Sequence, residues 1–254
     1  MGRTIVATGR GGAGKSSFAA LISRYLKPPT LLVDLDPDLS LADMLGFDFR
    51  KEGKRTVCEA LYDVVEKRKR NISPTITTHD QMESLLWSDC LYEGRKIDLI
   101  SLGTKLTEGC LCAPDEILRK TIPGLAKNYT NLVVDSPAGV EHLNRNIVSE
   151  INDLFVICDP SDKSLKHIGR IKEIIKQVGI RYGNFYLVAN HECNKKAEEY
   201  LQNTGEIYLG KIEYDARLEQ CNLEGKSLLE LPNDSPACLS ARRILAKVGY
   251  QTKP

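Results

Sequence analysis

A chain of 254 residues, 42% hydrophobic and 27% charged, has the make-up of an ordinary globular protein with room for one sizeable α/β domain. Lysine plus arginine (35) nearly balances aspartate plus glutamate (34), so the net charge of +1 provides no overall field for nucleic acid or an acidic membrane, and neither is expected as a partner. Eight cysteines are too few for a disulfide scaffold, and apolar runs such as Leu31–Val33 and Leu154–Cys158 fall far short of the roughly 20 residues that span a bilayer. A secretory apolar segment would have to overlap the glycine-rich stretch Gly9–Ser17, so a cytoplasmic protein is expected.

In chain order, strands are expected at Arg3–Thr8, Thr30–Asp34, Lys96–Ser101, Asn131–Asp135, Asp153–Cys158, Asn184–Asn190 and Ile207–Ile212. Amphipathic helical stretches lie between several of them, as at Ser16–Tyr25, Leu165–Val178 and Lys195–Gln202. Continuous apolar strands alternating with helices predict one doubly wound, mostly parallel sheet covered on both faces, the whole chain 1–254 forming a single domain. Lys51–Gly94 breaks the rhythm and reads as helices and loops inserted after the second strand, with the charged run Lys51–Arg55 facing solvent. The C-terminal stretch Ser235–Tyr250 is amphipathic and reads as a last helix packed on the sheet.

Gly9, Gly14, Lys15 and Ser16 meet the spacing G-x-x-x-x-G-K-S between a strand and a helix. Such a loop turns successive N–H groups toward phosphate oxygens, with the helix N-terminus and Lys15 adding positive charge. Gly9, Gly11, Gly12, Ala13, Gly14, Lys15, Ser16 and Ser17 are therefore expected around ATP or ADP, with the Ser16 hydroxyl on Mg²⁺. The apolar strand ending at Asp135 has the form of the Mg²⁺-supporting carboxylate strand of such proteins.

Arg10-Gly11-Gly12-Ala13-Gly14-Lys15-Ser16 resembles the deviant phosphate loop of the MinD/ParA/Get-type ATPases and the nitrogenase iron protein. In that family a lysine stands where this chain has Arg10 and reaches the partner's nucleotide across a dimer. The resemblance gives Arg10 that part, since arginine keeps the cation. It makes Asp36, in Asp34-Leu35-Asp36-Pro37-Asp38, the residue that positions attacking water. Asp34 and Asp38 become switch or supporting residues, with a cap on a helix Leu39–Leu45 as an equal reading for Asp38. Gly139, in Asp135-Ser136-Pro137-Ala138-Gly139, is placed to sense the terminal phosphate. Asn190 matches an adenine-contacting position, with turn chemistry as the other reading; its usual lysine neighbour is His191 here.

Cys110 and Cys112 lie in Glu108–Pro114, between a strand and a helix. In an extended segment residues i and i+2 face the same side. Two thiolates do not complete a metal shell, but two such loops meeting on a dimer axis supply four, a set suited to Zn²⁺ or Ni²⁺. A redox pair or a merely buried pair are the other readings. Together with Ala138-Gly139-Val140-Glu141-His142-Leu143 and Gly210–Asp215, this loop makes the chain look like the CooC-type ATPases, the nickel-insertion accessory proteins of carbon monoxide dehydrogenase and acetyl-CoA synthase. That resemblance implies a homodimeric, slow ATP hydrolase whose Cys110 and Cys112 bind metal between subunits, with one of those enzymes as client. A MinD/ParA-type positioning switch needs no Cys-x-Cys. An iron–sulfur electron donor places a cluster cysteine in the second switch, and Asp135–Gly139 contains none. Three methionines do not furnish the apolar groove of a tail-anchor chaperone.

Overall fold

The computed structural model describes residues 2–70, 78–104, 112–138 and 147–251. Among them seven strands form one parallel sheet: β1 (Arg3–Gly9), β2 (Thr30–Asp34), β3 (Ile97–Ser101), β4 (Asn131–Asp135), β5 (Glu150–Cys158), β6 (Arg181–Ala189) and β7 (Ile207–Lys211). Their order is β3-β2-β4-β1-β5-β6-β7. Each expected strand is present, with ends that move by up to three residues. β5 and β6 begin earlier than expected because their first residues alternate or are exposed, at the solvent end of the sheet, and lack the continuous apolar run.

Strand residues of alternate parity feed two cores, as pleating requires. Val6, Leu31, Val33, Leu132 and Val134 pack under α3 (Val57–Lys69), α4 (Thr78–Leu85), α5 (Cys112–Leu125), α6 (Asp162–Val178) and α7 (Lys195–Gln202). Ile5, Ala7, Leu32 and Val133 pack under α1 (Lys15–Ser23), α2 (Ser40–Leu45) and α9 (Pro236–Lys247). This is the doubly wound arrangement. A further helix, α8 (Ala216–Glu224), sits after β7. The C-terminal stretch does form a helix packed on α1 and β7, with Ala237, Ala241, Ile244 and Leu245 buried.

Residues 51–94 carry α3, α4 and a π-helical turn at Leu86–Cys90. The charged run there is only partly a solvated face. Lys51 and Glu52 are exposed, but Arg55 is half-buried between the carboxylates of Asp63 at 2.6 Å and Asp89 at 2.5 Å. The fork geometry of guanidinium suits two carboxylates at once. Thr56 and Glu59 cap α3 reciprocally: the Thr56 hydroxyl accepts the Glu59 N–H at 3.2 Å, and Glu59 accepts the Thr56 N–H at 2.8 Å.

In a parallel sheet the strand C-termini share one edge, and loops there gather functional groups. Here Gly9, Asp34, Ser101 and Asp135 all end strands at that edge. Asp34 is in register with both Ser101 and Asp135.

Candidate nucleotide site

The phosphate loop begins at the end of β1, where Gly9 is in register with Ile157 of β5. A side-chain carbon on Gly9 (φ +151°) would come within 2.4 Å of the Ile157 carbonyl oxygen, so only glycine fits. Gly14, at φ +97°, is the left-handed residue that opens α1, and the helix has no side-chain cap. Its first N–H groups are thus free for an acceptor from outside the chain. Side-chain carbons on Gly12 and Gly14 would meet nothing within 4 Å, which leaves the space over the loop open. Ala13 is buried, and Gly11 lies against Ala138. Ser17 lines the cleft beside the loop, with its hydroxyl toward the Met44 sulfur at 3.7 Å.

Lys15 is 7% exposed, and its Nζ donates to the Arg10 carbonyl at 3.1 Å. Burial lowers its pKa, while Asp135 and Asp36 oppose that shift. Lys15, Asp36 and Asp135 therefore converge, as the sequence led us to expect. Asp135 is fully buried, and neither of its oxygens has a hydrogen-bond partner. Burial pushes its carboxyl up to about 7. The Ser16 hydroxyl and the Lys15 ammonium face it and oppose the rise, without closing a hydrogen bond on it. Asp34 next to it is raised well above the usual carboxylate range by burial and by the Asp135 charge. Asp34 Oδ2 and the Ser101 hydroxyl are also buried and unpaired. Four unpaired oxygens in one place, beside a free helix N-terminus and a buried lysine, fit a bound polyphosphate with a divalent cation.

Asp36 follows β2 in a loop braced by its own side chains. Asp34 Oδ1 accepts the Asp36 N–H at 3.0 Å, and Asp36 Oδ1 accepts the Asp38 N–H at 3.1 Å. Asp38 does not cap the next helix. The helix starts at Ser40, so Leu39 holds that position in a left-handed conformation (φ 58°), with no side-chain cap, and the Asp38 N–H is taken up by Asp36. The Thr104 hydroxyl donates to the Pro37 carbonyl at 3.0 Å and ties this loop to the segment after β3.

Arg10 is engaged within its own chain. Its guanidinium donates to Ser161 Oγ at 2.8 Å and to Asp159 Oδ2 at 3.2 Å, at the end of β5. No sequence motif pointed to Asp159 or Ser161.

Beside the loop lies a cleft of about 250 Å³, lined by Gly12, Phe18, Asn190, His191, Tyr214 and Asn222 among others. Phe18 packs on Phe155, and Phe155 on Tyr186, in tilted ring pairs with centroids 5.2 Å apart. The Asn190 side-chain oxygen accepts the Glu192 N–H at 3.1 Å, so the turn reading of Asn190 holds while the residue also lines the cleft. The His191 and Tyr214 rings lie 5.8 Å apart, and the Tyr214 hydroxyl donates to Glu219 at 2.7 Å. Asp215 anchors this wall. Its carboxylate accepts from the Ser235 hydroxyl and from the backbone N–H groups of Arg217, Leu218 and Ala237, fixing the starts of α8 and α9 together. Such walls suit an aromatic base.

Cys112 is the first residue of α5; Cys110 and Gly139 lie outside the described residues. The Cys112 backbone is thus helical at its start, not part of a fully extended strand. Among the described residues no group of three or more His, Cys, Asp or Glu side chains is arranged to hold a metal ion. None of their helices is long and apolar enough to cross a membrane.

Comparison with known proteins agrees with this geometry. A family model described as an AAA domain matches residues 2–185. An uncharacterised ATP-binding protein of Methanocaldococcus jannaschii is 30% identical over 250 residues, covering 96% of this chain and 97% of that protein. The carbon monoxide dehydrogenase accessory protein CooC of Rhodospirillum rubrum is 24% identical over 245 residues, covering 92% and 91%. Among solved structures, a ParA family ATPase from Chlorobium tepidum superposes with a TM-score of 0.71 at 18% identity, covering 95% of this chain and 97% of its own. The chain belongs to the MinD/ParA-like family of P-loop ATPases.

Proposed function

We propose that this chain is a cytoplasmic, nucleotide-dependent homodimeric ATPase that carries nickel, or zinc, on Cys110 and Cys112 and assists metal insertion into carbon monoxide dehydrogenase or acetyl-CoA synthase. The observation that carries this is the near full-length similarity to CooC, combined with a Cys-x-Cys whose second cysteine starts α5. The Thr104–Pro37 hydrogen bond supports it further, because the segment leading to the cysteines is tied to the loop that follows Asp34 and Asp36.

In this reading the whole chain works as one ATPase domain. The phosphate-loop N–H groups and Lys15 hold the polyphosphate, with Asn190 and its neighbours around the base. Ser16 and the Asp135 carboxylate would hold Mg²⁺, which would supply neutralisation of the charge developing on the departing ADP. Asp36 orients the attacking water, and Gly139 senses the terminal phosphate. Arg10 leaves Asp159 and Ser161 when a second chain closes and turns to the partner's nucleotide. The metal ion is cargo, held by four thiolates from two chains and released as the dimer geometry changes on hydrolysis.

The test is a double variant, Cys110→Ser with Cys112→Ser. It keeps nucleotide binding and loses stoichiometric nickel, measured by metal analysis after gel filtration. Nickel bound as tightly by the variant as by the parent would place the metal elsewhere.

A further inference from the structure

The function proposed above leaves Ser101 without a task. It ends β3, is fully buried, and its hydroxyl has no hydrogen-bond partner among the described residues. The other buried serines there, Ser23, Ser136, Ser164, Ser235 and Ser240, each make a side-chain hydrogen bond. Ser136 follows β4 at the same edge of the sheet, and its hydroxyl donates to the Ala7 carbonyl at 2.7 Å. A buried hydroxyl left unpaired costs stability, so it needs a reason.

The surroundings supply one. Asp34 is in register with Ser101 on one side and with Asp135 on the other. Ser101, Asp34 and Asp135 stand two residues beyond Leu99, Leu32 and Val133, which all pack in the core under α1. The three side chains therefore share that face of the sheet, in a row whose strands run about 4.8 Å apart. Ala7 of β1, the strand that leads into the phosphate loop, is in register with Asp135 on its far side. Backbone hydrogen bonds fix the row: the Leu102 N–H donates to the Asp34 carbonyl at 2.8 Å, and the Leu35 N–H to the Asp135 carbonyl at 3.0 Å. Asp34 divides its oxygens. Oδ1 accepts the Asp36 N–H at 3.0 Å, whereas Oδ2 is buried and unpaired, as are both oxygens of Asp135. A hydroxyl donor and a carboxylate acceptor on neighbouring strands thus each keep a free group, next to the residue that would hold Mg²⁺.

We propose that Ser101 is a positioning residue of the Mg²⁺ site: once Mg²⁺–nucleotide is bound, its hydroxyl donates to Asp34 Oδ2 and holds that carboxylate toward the cation. This rests on the loop binding nucleotide with Mg²⁺. A hydrogen bond to a carboxylate is roughly twice as strong as one between neutral groups, and the same oxygen has room for a second donor, such as a water on the cation. Asp34 Oδ1 keeps the Asp36 N–H, so the contact also steadies the loop that carries Asp36. Removing an outer partner of this kind typically weakens metal binding by about ten- to a hundredfold. No bond of the nucleotide is made or broken in this step.

The experiment titrates Mn²⁺, a paramagnetic stand-in for Mg²⁺, into the parent, Ser101→Ala and Ser101→Thr, each saturated with ADP, and reads binding by electron paramagnetic resonance. All are compared at one pH, so the raised carboxyls of Asp34 and Asp135 enter each titration alike. Ser101→Ala should bind Mn²⁺ about tenfold more weakly while keeping the parent's affinity for ADP without metal. Without nucleotide it should melt roughly 3 °C higher, since it loses only an unpaired group. Ser101→Thr, which keeps the hydroxyl, should hold Mn²⁺ as the parent does. Mn²⁺ affinity unchanged in Ser101→Ala, or weakened as much in Ser101→Thr, overturns the proposal while leaving nucleotide binding intact. So does a Ser101→Ala protein that melts lower and loses ADP affinity without metal, the mark of a purely structural role. A parent that binds no ADP overturns the nucleotide reading together with it.

Discussion

Two buried aspartates at opposite ends of the nucleotide cleft are treated in opposite ways. At the phosphate end Asp135 is fully buried with both oxygens unpaired, and burial pushes its carboxyl up to about 7. At the base end Asp215 is 6% exposed, and its carboxylate accepts four hydrogen bonds. Burial pushes Asp215 up as well, but its donors outweigh that and hold it below the ordinary carboxylate range. Polar groups that hold the fold together are paired within the chain. Those unpaired at the phosphate edge cost stability and are set out for something the chain does not itself contain. The base wall is scaffold first and contact second, whereas the phosphate edge is contact first.

The contrast can be broken most readily at Lys15. Lys15→Ala should weaken nucleotide binding by roughly a hundredfold, the scale of a charge-assisted contact worth about 3 kcal/mol, in a fluorescence titration. The melting temperature without nucleotide should barely move, since Nζ has only the Arg10 carbonyl as a hydrogen-bond partner. Asp215→Ala should behave the other way. It strips two helix starts of their acceptor and should cost about 2 kcal/mol of stability by denaturant unfolding, with a smaller effect on affinity.

The pH dependence sharpens the same comparison. The Asp215 carboxyl is depressed in the folded state, so its contribution is complete above an unfolded value of about 4 and is lost as pH falls further. Asp215→Asn should therefore lower the melting temperature more at about pH 7 than at about pH 3. Asp135 is raised to about 7, so its contribution is complete below an unfolded value of about 4 and is lost as pH rises through about 7. Asp135→Asn should raise the melting temperature of the nucleotide-free protein by roughly 3 °C at about pH 8, the equivalent of about 1 kcal/mol, and by less at about pH 5. Equal pH trends for the two variants would remove the distinction. The smallest effect expected is at Thr104. Thr104→Val should leave nucleotide affinity unchanged and reduce the influence of nucleotide on nickel affinity by about 0.5–2 kcal/mol, read from nickel titrations with and without ADP.

The phosphate end was legible in the sequence because its signals are local. Apolar runs marked the strands, and Gly9 to Ser16 and Asp34 to Asp36 each sit within a few residues of a strand end. The base end was legible only at Asn190, which its motif singled out; Tyr214 and Ser235 come from separate segments, and Asp215 acquires its pairing only when α8 and α9 meet. The left-handed Leu39 was also out of reach, because a leucine gives no sign of positive φ. Arg10 was identified as a phosphate-site cation from its motif, but its hold on Ser161, 151 residues away, is tertiary and left no trace in the pattern. Thr56 and Glu59 do have capping-box spacing, a local sign of where α3 begins that the breadth of the charged stretch around them obscured.

The most direct test of the account is the metal content and solution mass of the purified chain loaded with nickel in the presence of Mg²⁺–ADP. One nickel ion per two chains, in a species of twice the 28.3 kDa chain mass, is the predicted result. A monomer that holds no nickel, or nickel bound one per chain in a species that never pairs, would contradict it.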